Sequence, residues 1–199
     1  MVVRNTLRIC YKGRPAKYFC SFLGMLELKT RRNLAVFSYN PGGELYLGID
    51  FGYRNPFACL WIQPIQGGER VLVLDEYYKP GRTTLKAGMD ILAQHKNRGY
   101  GPLTCAFADP SDPDKRAMLS EILRVEVRAP RLPVEVGQEL IRRWLKVSAE
   151  DGLPGILIHH RCKNLIAELM GYRTHEPGRG HHHALDALRY FFAGWEGAT

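Results

Sequence analysis

Leu45-Tyr46-Leu47-Gly48-Ile49-Asp50-Phe51-Gly52 is a strand-like apolar run that carries an aspartate at its end and is closed by a glycine. Moving outward from it, Phe57 to Ile62 is a second run after Asn55-Pro56, and Val71 to Tyr78 is a third after the Gln66-Gly67-Gly68 turn. Three strands joined by short turns predict an antiparallel meander. Thr83-Thr84 then predicts the start of a helix running to about Asn97, with Leu85, Met89 and Leu92 on its apolar face and Arg98-Gly99 closing it. A fourth strand, Leu103 to Ala108, ends at Asp109. Because it returns after a helical crossover, it is expected to lie parallel to the first strand.

Farther on, Asp109-Pro110-Ser111-Asp112-Pro113 precedes a short helix to about Leu123, and a strand is expected near Val125 to Ala129. Val136 to Ala149 has helical periodicity and sends Leu140, Ile141, Trp144, Leu145 and Val147 toward a core. Ile156 to Ile158 is a brief strand, and Lys163 to Tyr172 is a helix. The loop Pro177-Gly178-Arg179-Gly180 leads into a last helix from about His181 to Trp195. Upstream, residues 1 to 43 are basic and irregularly patterned, and they end at the turn Asn40-Pro41-Gly42-Gly43; they are expected to be an extension or connector before a domain spanning 44 to 199. The predicted architecture is an α/β fold with a mixed sheet, three antiparallel strands followed by parallel ones, and helices on both faces. That is the order of the ribonuclease H-like fold.

The bulk properties agree with a globular protein that meets a polyanion. Of 199 residues, 45% are hydrophobic and 24% charged, enough for one good core, and the net charge of +8 with a pI near 9.4 favours nucleic acid as the partner. The five cysteines are odd in number and form no CxxC pair, so neither a disulfide framework nor a zinc site is indicated. Cys59 and Cys105 fall inside apolar runs and read as small buried hydrophobes. No run approaches a membrane span and no signal-peptide pattern stands at the N-terminus, so a soluble, cytoplasmic chain is expected.

Three carboxylates carry the chemistry. Phosphodiester hydrolysis needs a water activated at neutral pH and charge neutralised on two oxygens, which a pair of divalent cations accomplishes. Such hard cations take oxygen ligands drawn from separate chain segments. Asp50 and Asp109 end strands expected to be parallel neighbours, so both should emerge at one edge of the sheet. Asp186 lies in the last helix, four residues after His182 and on the same face, with Leu185, Leu188 and Phe192 on the apolar side. A strand-end Asp taken singly is commonly a turn residue or helix cap, and a mid-helix Asp is commonly solvated. The joint order, strand end, strand end, helix, is what marks them as a site.

Gly48-Ile49-Asp50-Phe51-Gly52 with Asn55-Pro56, Phe107-Ala108-Asp109-Pro110, and His183-Ala184-Leu185-Asp186-Ala187-Leu188-Arg189-Tyr190 together resemble the nuclease domain of large terminase subunits from tailed bacteriophages. The resemblance spans roughly Glu44 to Trp195. It implies a ribonuclease H-like endonuclease dependent on Mg²⁺ or Mn²⁺, with two ions held by Asp50, Asp109 and Asp186 and with His182 as a further ligand. It also implies double-stranded DNA as substrate, genome packaging as the setting, the cytoplasm of an infected bacterium as the place, and the terminase ATPase domain, small subunit and portal as partners of a monomeric domain. Two positions depart from the family pattern: Asn55 stands where an acid is common after the first motif, and His182 where one is common four residues before the helical Asp. No Gly-x-x-x-x-Gly-Lys-Ser/Thr loop is present, so the chain is not expected to be the packaging motor but a separately made or excised nuclease.

Around this set, Asn55, His183, Asp75 and Glu76 are candidates for supporting the ligands; Asp75 and Glu76 point to opposite faces of their strand, so only one can face the site. Asp112 and Asp114 read as caps of the following helix. Arg179, Arg173, Lys163 and Arg161 are candidates for phosphate contacts. Three rival functions share parts of the pattern. A sugar-kinase or actin-like ATPase opens with a similar Gly-x-Asp-x-Gly but needs further nucleotide loops, a resolvase or transposase shares the acidic triad, and a non-catalytic DNA clamp would need only the basic surface.

Overall fold

The computed structural model describes residues 38–171 and 182–197, together with the backbone of 10–11, 14–15 and 34–35. β1 (Cys10–Tyr11) and β2 (Arg14–Pro15) pair antiparallel with each other. Among the described residues the main sheet has seven strands: β3 (Leu34–Ala35), β4 (Tyr46–Asp50), β5 (Phe57–Ile65), β6 (Arg70–Lys79), β7 (Cys105–Ala108), β8 (Val127–Arg128) and β9 (Ile156–His159), in the spatial order β3-β9-β6-β5-β4-β7-β8. β4, β5 and β6 form the expected antiparallel meander. β7 lies parallel to β4, β8 to β7, and β9 to β6. The mixed sheet of the ribonuclease H-like fold is therefore present.

Strands β4 and β5 are apolar on both sides because helices cover both faces of the sheet. One face carries α1 (Thr84–Asn97) and α2 (Pro113–Leu123), which pack Ala87, Ile91, Leu119 and Leu123 against Leu47, Ile49 and Trp61. The other carries α3 (Val134–Leu145), α4 (Lys163–Gly171) and α5 (His183–Glu196), which pack Ile141, Leu165, Leu169, Leu188 and Phe191 against Leu60, Val73 and Phe107. The caps follow the sequence: Thr83 accepts from Lys86 N–H, and Asp112 from Lys115 N–H at 3.1 Å. Cys59, Cys105 and Cys162 are free and buried, and burial pushes the Cys59 and Cys162 thiols well up. No helix among the described residues is long and apolar enough to cross a membrane.

Several expectations need correction. Leu85 and Met89 of α1 are more than half exposed, and the packed face is Ala87, Gly88 and Ile91. The cause is the small residue: a Cβ at Gly88 would meet Ile122 and Leu119 at 2.9 and 3.0 Å, so α2 closes on α1 at the glycine and the longer side chains are left outside. Helix α3 stops at Leu145 instead of continuing to Ala149; Val147 bridges to Pro154, and the Ser148 hydroxyl accepts from Glu150 N–H in a turn. Helix α5 begins at His183, not His181. Just before residue 43, Asn40 N–H donates to the buried Gln63 side chain at 2.8 Å and Tyr39 packs edge-on against Tyr100. Most of the basic N-terminal stretch lies outside the described residues.

The contact that fixes the architecture is between α5 and β4. A Cβ on Gly48 would lie 2.3 Å from the Ala187 carbonyl oxygen, so the helix backbone rests directly on the strand. Gly48→Ala is expected to lower stability by about 1–3 kcal/mol through overpacking. Gly171→Ala, at a helix end with nothing within 4 Å of its added methyl, should be neutral or slightly stabilising. Urea midpoints of the two variants test this, and equal midpoints would refute the close contact.

Candidate functional site

Parallel pairing brings the first two carboxylates together. Ile49 is opposite Ala108, and Asp109 N–H donates to the Ile49 carbonyl at 3.2 Å, so Asp50 and Asp109 leave the sheet at adjacent strand ends. Asp50 is buried, whereas Asp109 is half-buried and its Oδ1 accepts from Ser111 N–H at 2.8 Å. Because α5 lies on Gly48, its first turn sits over that same edge and delivers Asp186 and His183. His183 Nδ1 is 2.7 Å from Asp50 Oδ2, with its ring tilted against Tyr78. Asp186 Oδ1 accepts from Arg189 Nε at 3.0 Å, one turn along the helix.

Charge crowding is the consequence. Burial, then the neighbouring Asp186 and Asp109 carboxylates, push the Asp50 carboxyl up to about 8, against a smaller opposing pull from Arg189. Burial acts to lower the Arg189 pKa, but Asp186 and Tyr190 outweigh it, and the guanidinium stays charged. Each acid of the set thus has its own partner: His183 for Asp50, the Ser111 N–H for Asp109, and Arg189 for Asp186. Among the described residues, no three His, Cys, Asp or Glu side chains are drawn in around a single metal position. The donors are nonetheless of the right kind, oxygen-bearing, like-charged and mutually repelling, which is the arrangement a divalent cation relieves.

The other sequence-derived candidates divide. His182 is the N-cap of α5, with torsions of φ −109 and ψ 57, and its carbonyl accepts from Asp186 N–H at 2.8 Å; the residue that meets Asp50 is His183. Asn55 is exposed in the turn between β4 and β5. Neither Asp75 nor Glu76 is bonded to the carboxylate set. Asp75 is buried against Arg98, at 2.5 Å, on the α1 side, while Glu76 accepts from the N–H groups of Asn164 and Leu165 and so caps α4. Arg161 donates to the His159 ring and Lys163 opens α4, both beyond the end of β9. Arg173 and Arg179 lie outside the described residues.

Sequence reading missed Glu168. From α4 it accepts Leu185 N–H at 2.8 Å and the Tyr78 hydroxyl at 2.7 Å, and so satisfies one of the open N–H groups of α5, whose own N-cap His182 makes no side-chain cap bond. Burial raises its carboxyl above the ordinary range, against the hydrogen bonds that lower it. Arg189 was part of a quoted motif but had no role. Its stem occupies the space that a side chain at Gly137 of α3 would need. Neither signal is local: one acid in α4 and one glycine in α3 acquire meaning only when α5 docks.

The structure is similar to solved large terminases. It matches the large terminase of a thermophilic bacteriophage with a TM-score of 0.69 and 18% identity, over 84% of this chain and 43% of that one. It matches the P22 large terminase nuclease domain with a TM-score of 0.61 and 15% identity, over 80% and 85% of the two chains. It also matches the nuclease domain of the bacteriophage SPP1 large terminase with bound Mn, with a TM-score of 0.53 and 24% identity, over 77% and 86%. At these identities the likeness is one of fold, and the structures concerned come from the family that the motifs resemble. The chain spans less than half of the thermophilic-phage protein and most of the isolated nuclease domains. No family model and no curated protein matches the sequence.

The crowding has a signature independent of activity. With its carboxyl raised to about 8 in the folded chain, Asp50 keeps a proton that the unfolded chain loses near pH 4, so metal-free stability falls as pH rises through that window. The Tm of the metal-free protein should drop between pH 5 and pH 8, and Asp50→Asn should flatten the drop and raise the Tm at pH 8. A wild-type curve no steeper than that of the variant would contradict the crowding.

Proposed function

We propose that the chain is a metal-dependent endonuclease that cuts double-stranded DNA by two-metal phosphodiester hydrolysis during packaging of a viral genome. The observation that carries this reading is the convergence of Asp50, Asp109 and Asp186, crowded enough that Asp50 is driven up to about 8. Asp50, Asp109 and Asp186 would hold Mg²⁺ or Mn²⁺, with His182 at the mouth of α5 as a further ligand. Bound there, the ions supply a nucleophilic water at neutral pH and charge neutralisation at the phosphoryl oxygens.

The chain's own residues do the positioning. His183 fixes the orientation of the Asp50 carboxylate, Arg189 holds Asp186 on its side of the helix, and Glu168 anchors the N-terminus of α5 from α4. The net charge of +8 attracts the polyanion, and Arg161, Lys163, Arg173 and Arg179 are the cations assigned to DNA phosphates. By likeness to the longer thermophilic-phage terminase, the nuclease would work beside an ATPase domain, with the small subunit and portal as further partners, in the cytoplasm of the infected cell.

A supercoiled-plasmid assay with Mn²⁺, Mg²⁺ or EDTA tests the reading. Nicking and linearisation are expected with either metal and not with EDTA. Asp50→Asn, Asp109→Asn and Asp186→Asn should each lose roughly 100-fold or more of the rate, and His183→Ala about 10- to 100-fold. Cutting that persists in EDTA, or at the wild-type rate in all three Asp variants, would refute the mechanism.

A further inference from the structure

β6 outruns its neighbour. Pairing with β9 stops at Val73 opposite Ile158, so Asp75 to Lys79 have no strand beside them on that side among the described residues. The end of α1 and the start of α4 wall the gap, leaving an open cleft of about 640 Å³ whose lining includes Asp75, Lys79, Asn97, Arg98, Arg161 and Asn164.

The acids of this cleft are already engaged. Asp75, 2% exposed, is paired with Arg98 at 2.5 Å and has Arg161 at 3.8 Å. Glu76 is bonded to the N-terminus of α4, and Asp90 accepts from the Tyr77 hydroxyl and pairs with Arg82. The cations are in a different situation. Arg98 and Arg161 are 44% and 35% exposed and both line the cleft, and Asp75 engages Arg98 through Nε, the inner nitrogen of its fork. The His159 ring, accepting from Arg161 Nε at 2.9 Å, holds the second guanidinium in place; burial first, then Arg161 and His160, lower its pKa to about 4, so it stays neutral at physiological pH. Two guanidiniums fixed from behind by a buried carboxylate and a neutral imidazole form a prearranged receptor for phosphate oxygens.

We propose that this cleft is a second phosphate-binding site, which grips the phosphodiester backbone of the DNA away from the point of cutting. Asp75, which pairs with both guanidiniums, stands in the cross-strand row of Trp61 and Leu47, three residues along β4 from Asp50. Two strand spacings of about 4.8 Å and three residues of about 3.4 Å place it roughly 14 Å from Asp50. That is about four nucleotides of duplex rise along one strand. The inference rests on the reading of the chain as a DNA nuclease.

Binding of a fluorescent 30-base-pair duplex to the full chain in EDTA, followed by anisotropy across a salt series, tests it. Arg161→Gln removes one cleft cation. Asn97→Glu, at an exposed helix position, adds a negative charge while leaving the Asp75 pairs intact, and melting curves confirm that both variants fold. Each is expected to weaken binding about five- to tenfold at 0.1 M salt, and Arg161→Gln to reduce the slope of log K against log salt by about one. Lys146→Gln, a cation outside the cleft, should leave the slope unchanged. Unchanged affinity and slope in both cleft variants, or an equal loss in Lys146→Gln, would overturn the cleft while metal-dependent cutting by the wild type still stands. Tight, saturable binding of inorganic phosphate that Arg161→Gln abolishes without affecting DNA would reassign the cleft to a small anion and also overturn it. A wild type that neither binds DNA in a salt-dependent way nor cuts it would overturn both readings.

Discussion

The structure depends on a backbone-to-backbone contact: the first turns of α5 lie on β4 at Gly48, with the Ala187 carbonyl where any side chain would have to be. Helix and strand can approach this closely only where one of them lacks a Cβ. The same helix meets β7 through Gly194, where a methyl would collide with the Phe107 ring, and meets α3 through Gly137, which leaves room for the Arg189 stem. Three glycines at three contacts set the helix from below and from the side. Its polar first turn is thereby set over the strand ends, where the Glu168 bond to Leu185 N–H and the Asp50–His183 pair add to the packing.

That arrangement creates an electrostatic conflict that the protein manages but does not remove. A buried acid, Asp50, has two partly exposed acids beside it, and each is restrained by a different donor: an imidazole, a backbone N–H and a guanidinium. In an ordinary core, selection would favour replacing one acid with an apolar residue, since uncompensated buried charge is expensive. A fold that keeps all three gives up stability at one spot, and functional sites are the usual place for local rules to be broken. Glu168 adds a fourth acid nearby, but its hydrogen bonds are given to α5 and Tyr78, so it acts on the position of the helix.

Much of this was legible in the sequence, and the limits are physical. Alternating and continuous apolar runs located β4, β5 and β6, and Thr83 and Asp112 marked their helices, because strand periodicity and capping are local properties. The strand-end positions of Asp50 and Asp109 followed from the crossover rule alone. What failed was contact made through small residues: Leu85 and Met89 looked like the buried face of α1, yet Gly88 draws α2 in and leaves them outside. The start of α5 at His183 carries no local cap signal, since its N-cap His182 makes no side-chain cap bond. Glu168 was invisible because its partners are 17 and 90 residues away.

One topological fact links the carboxylates to the cleft. β4, β6, β7 and β9 all run in the same direction, since β4 and β6 are both antiparallel to β5 while β7 and β9 are parallel to their neighbours. Their C-terminal ends therefore share one edge of the sheet, where ligand sites of open α/β sheets collect. Strand length then distributes the roles along that edge. β4 and β7 end level, so two acids stand side by side, while β9 ends short of β6 and leaves a gap that arginines line instead. Crowded acids at the level strands, and three acids balanced by the three cations Lys79, Arg98 and Arg161 at the staggered pair, follow from where each strand stops. On the proposed reading, phosphate oxygens laid along the edge would meet the exposed arginine N–H groups of the gap and approach the acids only where metal ions offset their charge.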